Sequence, residues 1–279
     1  MKCLVTGAKG CIGTNLCTRL KSERHEVVEF TRGDDLSTIF HYNSVPVDMI
    51  FHCAAEMYDE GKMFESNVVL THLLLNITHD IPYSKFIYMG SSSEYGPITH
   101  PRSEIVDKIY PIMHYDATKG CGTLLCQAIA RQYGKPIIVV RPFNVYGPYE
   151  KSRRLMPSMF RCKESGGVLH YDPNSSHDWT YVDDIVNALI TLMTVEIIPG
   201  DVINVGTGKS TTNRETVEEF CSTVGKINTV DTLRVRLSDC KFWKADTSYT
   251  EKRYGITCPT SLRKGLSLYY KWRKSQCVA

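Results

Sequence analysis

Near its start the chain carries Leu4-Val5-Thr6-Gly7-Ala8-Lys9-Gly10-Cys11-Ile12-Gly13, an apolar run followed by glycine at every third position. This pattern predicts a strand, a turn without bulky side chains and a helix that begins at the turn. At such a turn the backbone can approach a pyrophosphate, and the helix start offers free N–H groups and a positive dipole end. A tight turn without a ligand is the alternative, but the strand–turn–helix context favours dinucleotide binding.

Apolar runs alternate with helical stretches through the first half of the chain. We expect strands at residues 3–5, 27–30, 49–52, 86–89 and 137–140, and helices near residues 12–20, 67–76 and 118–133. Apolar strands separated by helices indicate a parallel sheet covered on both faces, which is a doubly wound α/β fold. The rhythm loosens after Gly147-Pro148. We therefore expect a dinucleotide-binding domain at residues 1–146 and a smaller C-terminal substrate-binding lobe at 147–279, with segments around 178–205 packing back on the first domain.

Composition restricts the class of protein. The chain has 279 residues, of which 42% are hydrophobic and 23% are charged, and this balance argues against disorder. A formal net charge of +3 without blocks of like charge gives no reason to expect a nucleic acid or a membrane as partner. The eleven cysteines are scattered and form no C-x-x-C motif. We expect reduced thiols, no metal site and a cytoplasmic protein.

The end of the second expected strand bears on the choice of cofactor. There Phe30 is followed by Thr31-Arg32. A carboxylate at this place hydrogen-bonds the ribose 2′-hydroxyl of NAD, whereas an arginine accommodates the extra phosphate of NADP. Lys9 in the glycine turn can approach the same phosphate. The sequence therefore predicts NADP, with NAD as the alternative, because Arg32 can be a solvated surface charge and Asp34 and Asp35 can serve the ribose or adenine.

A tyrosine, a lysine and a serine form the second motif. Tyr115 and Lys119 are four residues apart at the start of an expected helix, so they lie on one face. A phenol has a pKa near ~10, and a nearby ammonium lowers that pKa, which makes the phenol a usable acid and base. The alternative is a surface pair. Ser91, after the expected strand at 86–89, lies at the sheet edge where ligands of open α/β folds bind, and it can share a substrate hydroxyl with Tyr115.

With these residues in place, the chain resembles the extended short-chain dehydrogenase/reductases, the NAD(P)-dependent epimerase/dehydratase family that acts on nucleotide sugars and has a Rossmann domain. The resemblance rests on Thr6-Gly7-x-x-Gly10-x-x-Gly13, Phe51-His52-Cys53-Ala54-Ala55, Ser91, Tyr115-x-x-x-Lys119, Arg141-Pro142-Phe143-Asn144-Val145-Tyr146-Gly147-Pro148, Asp178-Trp179-Thr180-Tyr181-Val182-Asp183-Asp184 and Asn204-Val205-Gly206-Thr207-Gly208. The ending Thr31-Arg32 and Lys9 look most like the NADP-using reductase branch.

The resemblance implies a set of site residues and an assembly. Ser91, Tyr115 and Lys119 are the implied catalytic residues. The implied cofactor-binding residues are Gly7, Lys9, Gly10, Cys11, Ile12, Gly13, Thr31, Arg32, Asp35, Leu36, Cys53, Ala54, Ala55, Asn67, Tyr115, Lys119 and Phe143. The implied substrate-binding residues are Ser91, Ser92, Ser93, Asn144, Arg154 and His177. A homodimer through the helices near 67–76 and 118–133 is also implied, although their apolar faces can equally be buried against the sheet.

Two departures from the family pattern refine the predicted function. Sugar 4,6-dehydratases carry acidic residues just after the catalytic Ser/Thr, where this chain has Ser92 and Ser93, and Glu94 lies one residue too far. Dehydration is therefore disfavoured. His177 stands where many relatives have a diphosphate-binding arginine, which leaves Lys151, Arg153 or Arg154 for that role.

The prediction is a nucleotide-sugar epimerase that transfers hydride reversibly at a sugar carbon, expected to be C4. The alternatives are an NADPH-dependent reductase of nucleotide 4-keto sugars and a catalytically silent NADP(H)-binding sensor or subunit.

Overall fold

The computed structural model describes residues 1–34, 47–232 and 240–276. Its strands are β1 (Lys2–Thr6), β2 (Glu26–Phe30), β3 (Met49–His52), β4 (Lys85–Met89), β5 (Ile137–Pro142), β6 (Val145–Tyr146), β7 (Val168–Tyr171), β8 (Ser176–His177), β9 (Thr180–Tyr181), β10 (Asp201–Val205), β11 (Thr211–Thr212) and β12 (Asn228–Asp231). Its helices are α1 (Cys11–Ser22), α2 (Glu60–Phe64, a π-helical turn Glu65–Val69, then Leu70–Ile77), α3 (His114–Tyr133), α4 (Leu155–Ser165), α5 (Val182–Thr194), α6 (Asn213–Thr223), α7 (Ser248–Tyr254) and α8 (Leu262–Gln276).

Six parallel strands form the central sheet in the order β10-β5-β4-β3-β1-β2. The chain runs outward from β1 to β2 and then crosses to β3 on the other side of β1. This reversal opens a crevice at the carboxyl ends of β1 and β3, where ligands bind in doubly wound sheets. The predicted doubly wound α/β fold is confirmed.

Alternation along the strands divides the core into two layers. Val5 faces a cluster with Leu16 of α1 and Leu189 of α5, whereas its neighbour Leu4 faces a cluster with Leu74 of α2. Because successive side chains of a strand point to opposite faces, an apolar run covers both layers at once. Helices on both faces therefore bury the sheet and give its carboxyl edge a rigid support.

A smaller lobe packs around aromatic side chains beyond the sheet. Phe160 of α4 contacts Phe220 of α6 and Tyr269 of α8, with ring centroids 4.9 and 4.8 Å apart. The chain does not divide in sequence order into the sheet and this lobe. Both α5 and β10 follow residue 147, but α5 packs on α1 and β10 pairs with β5 in the central sheet.

Buried Asp178 joins the two parts of the chain. Its carboxylate accepts hydrogen bonds from the backbone and hydroxyl of Thr207 and from the backbone N–H groups of Gly208 and Ala245.

Two helices begin earlier than the sequence predicts. The helix expected near 67–76 extends back to Glu60 through its π-helical turn. The helix expected at 118–133 begins at His114, because the Asp116 carboxylate accepts the Met113 backbone N–H and caps the first turn. Tyr115 consequently lies in that first turn. Throughout the described ranges, no helix is both long and apolar enough to cross a bilayer.

Candidate active site

The glycine turn between β1 and α1 is closed to side chains. A Cβ on Gly7, whose φ is +68°, would lie 2.7 Å from the Ala54 backbone, and one on Gly13 would lie 2.2 Å from the Gly7 carbonyl oxygen. The helix start at Gly10 has no acidic residue in its first turn and receives no side-chain cap from the residues that the structure describes. Its first N–H groups are therefore available to an anion, as a dinucleotide pyrophosphate requires.

A cavity of about 310 Å³ opens beside this turn at the carboxyl edge of the sheet. Of the residues predicted from the sequence, it is lined by Gly10, Cys11, Ile12, Gly13, Cys53, Ala55, Ser91, Ser92, Ser93, Tyr115, Lys119, Phe143, Asn144 and Arg154. Lys151, which the sequence offered as a candidate for the diphosphate, also lines it, together with residues that the sequence did not indicate for the site, namely Met57, Tyr58, Met89, Gly90, Pro142, Val145, Glu150 and Trp243. One cavity thus contains the helix start and all three predicted catalytic residues.

Ser91 is fixed by the chain that follows β4. Its hydroxyl lies 2.8 Å from that of Ser93 and accepts the Ser93 backbone N–H at 3.2 Å. The Ser91 backbone N–H donates to Glu94 at 2.7 Å, which completes a capping box around the short 3₁₀ helix Ser92–Tyr95. The hydroxyl that faces the cavity therefore has little freedom to move.

Glu94 belongs to the frame of the site and is not a lining residue of the cavity. It is fully buried, and its second oxygen accepts hydrogen bonds from Arg141 at 2.9 Å and Thr123 at 2.8 Å. The two places where dehydratases carry acids hold serine hydroxyls here. Ser92 accepts the indole N–H of Trp243 at 3.2 Å.

Lys119 is buried under the ring of Tyr88, with its Nζ 4.3 Å from the ring centroid. Burial lowers the pKa of Lys119 to about 8. On the same side of the sheet, burial, with a smaller effect of Lys119, lowers the pKa of His52 to about 3, so His52 is neutral and bonds Thr6 and Thr71. At pH 7, Lys119 is therefore positively charged, whereas nearby His52 is neutral.

Tyr115 differs from the prediction in its acidity. Burial raises the pKa of Tyr115 to about 12, and the opposing influences come first from the Ser91 hydroxyl and then from Arg154. Lys119 is not among the leading influences on this phenol. The prediction that Lys119 keeps the phenol acidic is wrong for the chain on its own, because the desolvation of a buried phenolate outweighs the neighbouring charges.

Asn67 supports the loop after β3 and does not line the cavity. Its amide oxygen accepts the Glu56 backbone N–H, and its amide nitrogen donates to the Glu56 carbonyl and to Thr118, each within 2.9 Å. Burial tends to raise the pKa of Glu56, but backbone N–H groups of the loop and the Arg32 side chain lower it to about 2. Glu56 therefore organises the loop and is ionised.

Arg32 lies at a second cavity, of about 380 Å³, with its side chain 71% exposed and its guanidinium paired with Glu56. The second cavity is lined by Arg32, Glu56, Tyr58, Asp59, Lys151, Ser152 and Arg153. Lys151 and Arg153 lie over the ring of Tyr58, 4.9 and 5.8 Å from its centroid.

The other residues predicted to bind the cofactor near Arg32 differ in their surroundings. Lys9 is exposed, and Thr31 donates its N–H and its hydroxyl to Asp34. Asp35 and Leu36 lie outside the described residues.

Arg154 and His177 were both predicted to bind the substrate, and the structure separates them. Arg154 lines the first cavity, where its Nε lies 3.2 Å from a carboxylate oxygen of Glu150. His177 does not line it and packs on Trp179, with ring centroids 4.7 Å apart. Burial, and then Arg154, lower the pKa of His177 to about 4, so the imidazole is neutral at pH 7. It cannot supply the positive charge of the arginine that relatives have there.

The chain is similar to known proteins along most of its length. The model of the NAD dependent epimerase/dehydratase family matches residues 3–206. Among curated proteins, the dTDP-glucose 4,6-dehydratase of Escherichia coli is 27% identical, over 79% of this chain and 76% of that protein. The UDP-glucuronate 4-epimerase of Thermodesulfobacterium geofontis (strain OPF15) is 28% identical, over 88% of this chain and 78% of that protein.

Among solved structures, the UDP-glucuronic acid 4-epimerase of Bacillus cereus, in complex with UDP-glucuronic acid and NAD, is 26% identical with a TM-score of 0.88. That likeness covers 99% of this chain and the whole of the other. The family match, the fold and the cavity that contains the glycine turn and the predicted catalytic residues lead to the same conclusion. The chain belongs to the NAD-dependent epimerase/dehydratase family and is an enzyme.

Proposed function

We propose that the chain is a nucleotide-sugar epimerase that inverts a sugar carbon, C4, by reversible hydride transfer to a bound dinucleotide. The observation that carries the proposal is the single cavity that brings the start of α1 together with Ser91, Tyr115 and Lys119. The residues fit the cofactor, because the glycine turn leaves backbone N–H groups free and the Asn144 amide oxygen is buried without a partner among the described residues.

Each catalytic side chain has a distinct task. Tyr115 takes the proton of the sugar hydroxyl and returns it, and Ser91 orients that hydroxyl. Lys119 lies one helical turn beyond Tyr115, where its ammonium can hold a ribose hydroxyl. When bound, the nicotinamide supplies the hydride acceptor and a positive charge that favours ionisation of a nearby phenol. The raised pKa of Tyr115 keeps the phenol protonated in the empty site, so it must release that proton to solvent, beside the bound cofactor, before it can take the proton of the sugar hydroxyl.

The side chains near Ser91 favour epimerisation over dehydration. Elimination of water from a sugar requires an acid and a base beside the reacting carbons. Ser92 and Ser93 supply hydroxyls in those places, and the carboxylate of Glu94 is occupied by Arg141, Thr123 and the Ser91 backbone. After oxidation, the keto sugar is consequently reduced again and not dehydrated.

For the cofactor we keep the proposal of NADP, with NAD as the alternative. Arg32, Lys151 and Arg153 gather around the second cavity, and a 2′-phosphate there would find three cations. Two observations weigh on the other side. Arg32 already pairs with Glu56, and the Bacillus cereus relative was solved with NAD. The same three cations also favour the reductase alternative, because a reductase consumes NADPH and must therefore bind its 2′-phosphate.

The direct test is to supply the purified protein with NAD⁺ or NADP⁺, to incubate it with UDP-glucose, UDP-glucuronic acid or dTDP-glucose, with and without NADPH, and to follow the sugar by ¹H NMR. An epimerase inverts C4 without net loss of NADPH. A 4-keto-6-deoxy product would contradict the proposal in favour of dehydration. Stoichiometric NADPH loss with a 4-keto sugar would favour the reductase, and cofactor binding without any turnover would favour the silent binding protein.

Tyr115→Phe should lower kcat by at least about a hundredfold, since general acid–base catalysis contributes roughly 10²–10⁴. Cofactor binding should persist, because the glycine turn and Lys119 are untouched. Tyr133→Phe, at the exposed end of the same helix, is the matched control and should keep full activity. Full activity of the Tyr115 variant would remove this phenol from the mechanism.

A homodimer remains part of the proposal. Phe64 on α2 and Leu124 on α3 are both more than half exposed, which a second copy could cover. Sedimentation at equilibrium would give the mass of one chain or of two.

A further inference from the structure

Glu150 is a buried carboxylate to which the proposed chemistry gives no task. Its side chain is 1% exposed and lines the first cavity. Among the described residues, neither of its oxygens has a hydrogen-bond partner. The guanidinium of Arg154 is its ion-pair partner, with Nε 3.2 Å from Oε1 but without the alignment of a hydrogen bond. A buried carboxylate in this condition is stable only while a cation compensates it.

The groups that face Glu150 come from five places in the fold. They are Cys11 on α1, Tyr58 after β3, Tyr146 on β6, Arg154 before α4 and Tyr269 on α8. Burial raises the pKa of the thiol and of each of the three phenols, so these groups are neutral at pH 7. Lys151 also lines this cavity, with its Nζ over the ring of Tyr58, but within the described part of the chain Arg154 is the cation that forms an ion pair with Glu150.

Arg154 is also placed to meet a ligand. It lines the cavity together with Asn144 and Ser93, and 28% of its side chain is exposed there. A guanidinium binds a phosphate through paired N–H donors, more strongly than it binds a carboxylate that it meets out of line. A diphosphate in the cavity would therefore compete with Glu150 for Arg154.

Building on the proposed function, we propose that a bound diphosphate takes over Arg154 and that Glu150 then binds one proton from solvent. The proton returns to solvent when the ligand leaves. Glu150 is thus a positioning residue, which holds Arg154 in place in the empty cavity and becomes neutral when Arg154 is engaged.

The electrostatics give the direction of this coupling. Burial raises the pKa of Glu150 to about 7, and Arg154 opposes that rise. Loss of the Arg154 charge and arrival of an anion both favour the protonated carboxyl. Because binding takes up a proton, affinity for the diphosphate should fall as the pH rises above 7, by up to about tenfold per pH unit.

The experiment is calorimetric titration of the Tyr115→Phe protein, which binds without turnover. Protein saturated with whichever of NADP⁺ and NAD⁺ binds more tightly is titrated with UDP-glucose or dTDP-glucose at pH 7.5, in two buffers of different ionisation enthalpy, which gives the protons exchanged per ligand. The diphosphate groups of UDP-glucose and dTDP-glucose do not titrate near neutral pH, so the ligand itself adds nothing to the proton count. A second arm titrates NAD-free protein with NAD⁺, which separates the cofactor diphosphate from that of the substrate.

We expect uptake of roughly 0.5 proton or more with the sugar nucleotide, and none after a further Glu150→Gln substitution. Glu164→Gln, which removes an exposed carboxylate paired with Arg273, is the matched control and should keep the uptake. Uptake confined to the NAD⁺ arm would assign Arg154 to the cofactor and support the coupling.

Equal proton counts with and without Glu150, or an affinity that does not change between pH 7 and 8.5, would overturn the inference and leave the proposed function intact. Failure of both sugar nucleotides to bind would contradict the proposed function itself.

Discussion

Two buried glutamates, each beside an arginine, mark two regions of the site that differ in how completely they are bonded. At the corner after β4, Glu94 accepts hydrogen bonds from the Ser91 backbone, Thr123 and Arg141. In the 147–154 segment, Glu150 has an ion pair with Arg154 and, among the described residues, no hydrogen-bond partner. The first region is fully bonded by described residues without a ligand, and it fixes Ser91, the proposed catalytic serine. The second is incomplete, which is the condition expected of groups that exchange partners on binding.

The largest effect on stability is expected at the bonded corner. Glu94→Gln removes the charge that compensates Arg141, whose side chain is almost fully buried. Breaking one side of a buried ion pair costs about 3–5 kcal/mol, so the free energy of unfolding in urea should fall by that amount. In a double-mutant cycle, adding Arg141→Met should restore part of the loss. A loss below about 1 kcal/mol would show that the corner is less tightly bonded than its geometry indicates.

Glu150→Gln should change stability in the opposite direction. The folded-state pKa of Glu150 is about 7, above its ordinary value of 4.5. The unfolded chain therefore loses this proton first, and the native protein loses stability as the pH rises from 4.5 to 7. Removing the carboxyl should raise the free energy of unfolding by about 1–3 kcal/mol at pH 8 and by little at pH 4. Urea titrations at both pH values measure this free energy of unfolding. If the variant were destabilised at pH 8, Glu150 would stabilise the fold as Glu94 does, which would contradict the comparison.

The smallest effect is expected at exposed Arg32. Arg32→Gln should lower the ratio of NADP to NAD affinity by about tenfold, near 1.4 kcal/mol, and should leave stability almost unchanged. Glutamine is chosen because an aspartate beside Glu56 would disturb the loop. Arg214→Gln, an exposed arginine paired with Asp231, is the control. An unchanged ratio, measured by fluorescence titration of both reduced cofactors, would remove the basis for predicting NADP.

The inner strands of the central sheet could be predicted from the sequence, because they are buried on both faces and are therefore mostly apolar runs. The edge strand β2 differs, since its Glu26 and Glu29 are exposed. The glycine turn was readable for a related reason, since Gly7 and Gly13 contact backbone where no side chain fits. Ser91 follows a predicted strand, and Tyr115 and Lys119 lie near the start of a predicted helix. These features are local in the chain, and local pattern is what a sequence displays.

The missed residues depend on contacts distant in the chain. Trp243 reaches the cavity because Arg102, far earlier in the chain, stacks on its ring with 3.7 Å from guanidinium carbon to centroid. Glu56 and Glu150 are ordinary charged residues in loops, and only burial distinguishes them. The acidity of Tyr115 was mispredicted for the same reason, since spacing shows that Lys119 is near but not how much water the fold removes.

The bonding of Asp178 sets the order in which the enzyme can be completed. Its carboxylate depends on backbone donors that follow it by as many as 67 residues, the last being Ala245. During synthesis, the sheet through β5 can form long before those donors leave the ribosome, whereas the wall that carries Trp243 cannot. A nascent chain should therefore acquire its nucleotide fold first and a closed reaction chamber only after residues 243–245 have emerged.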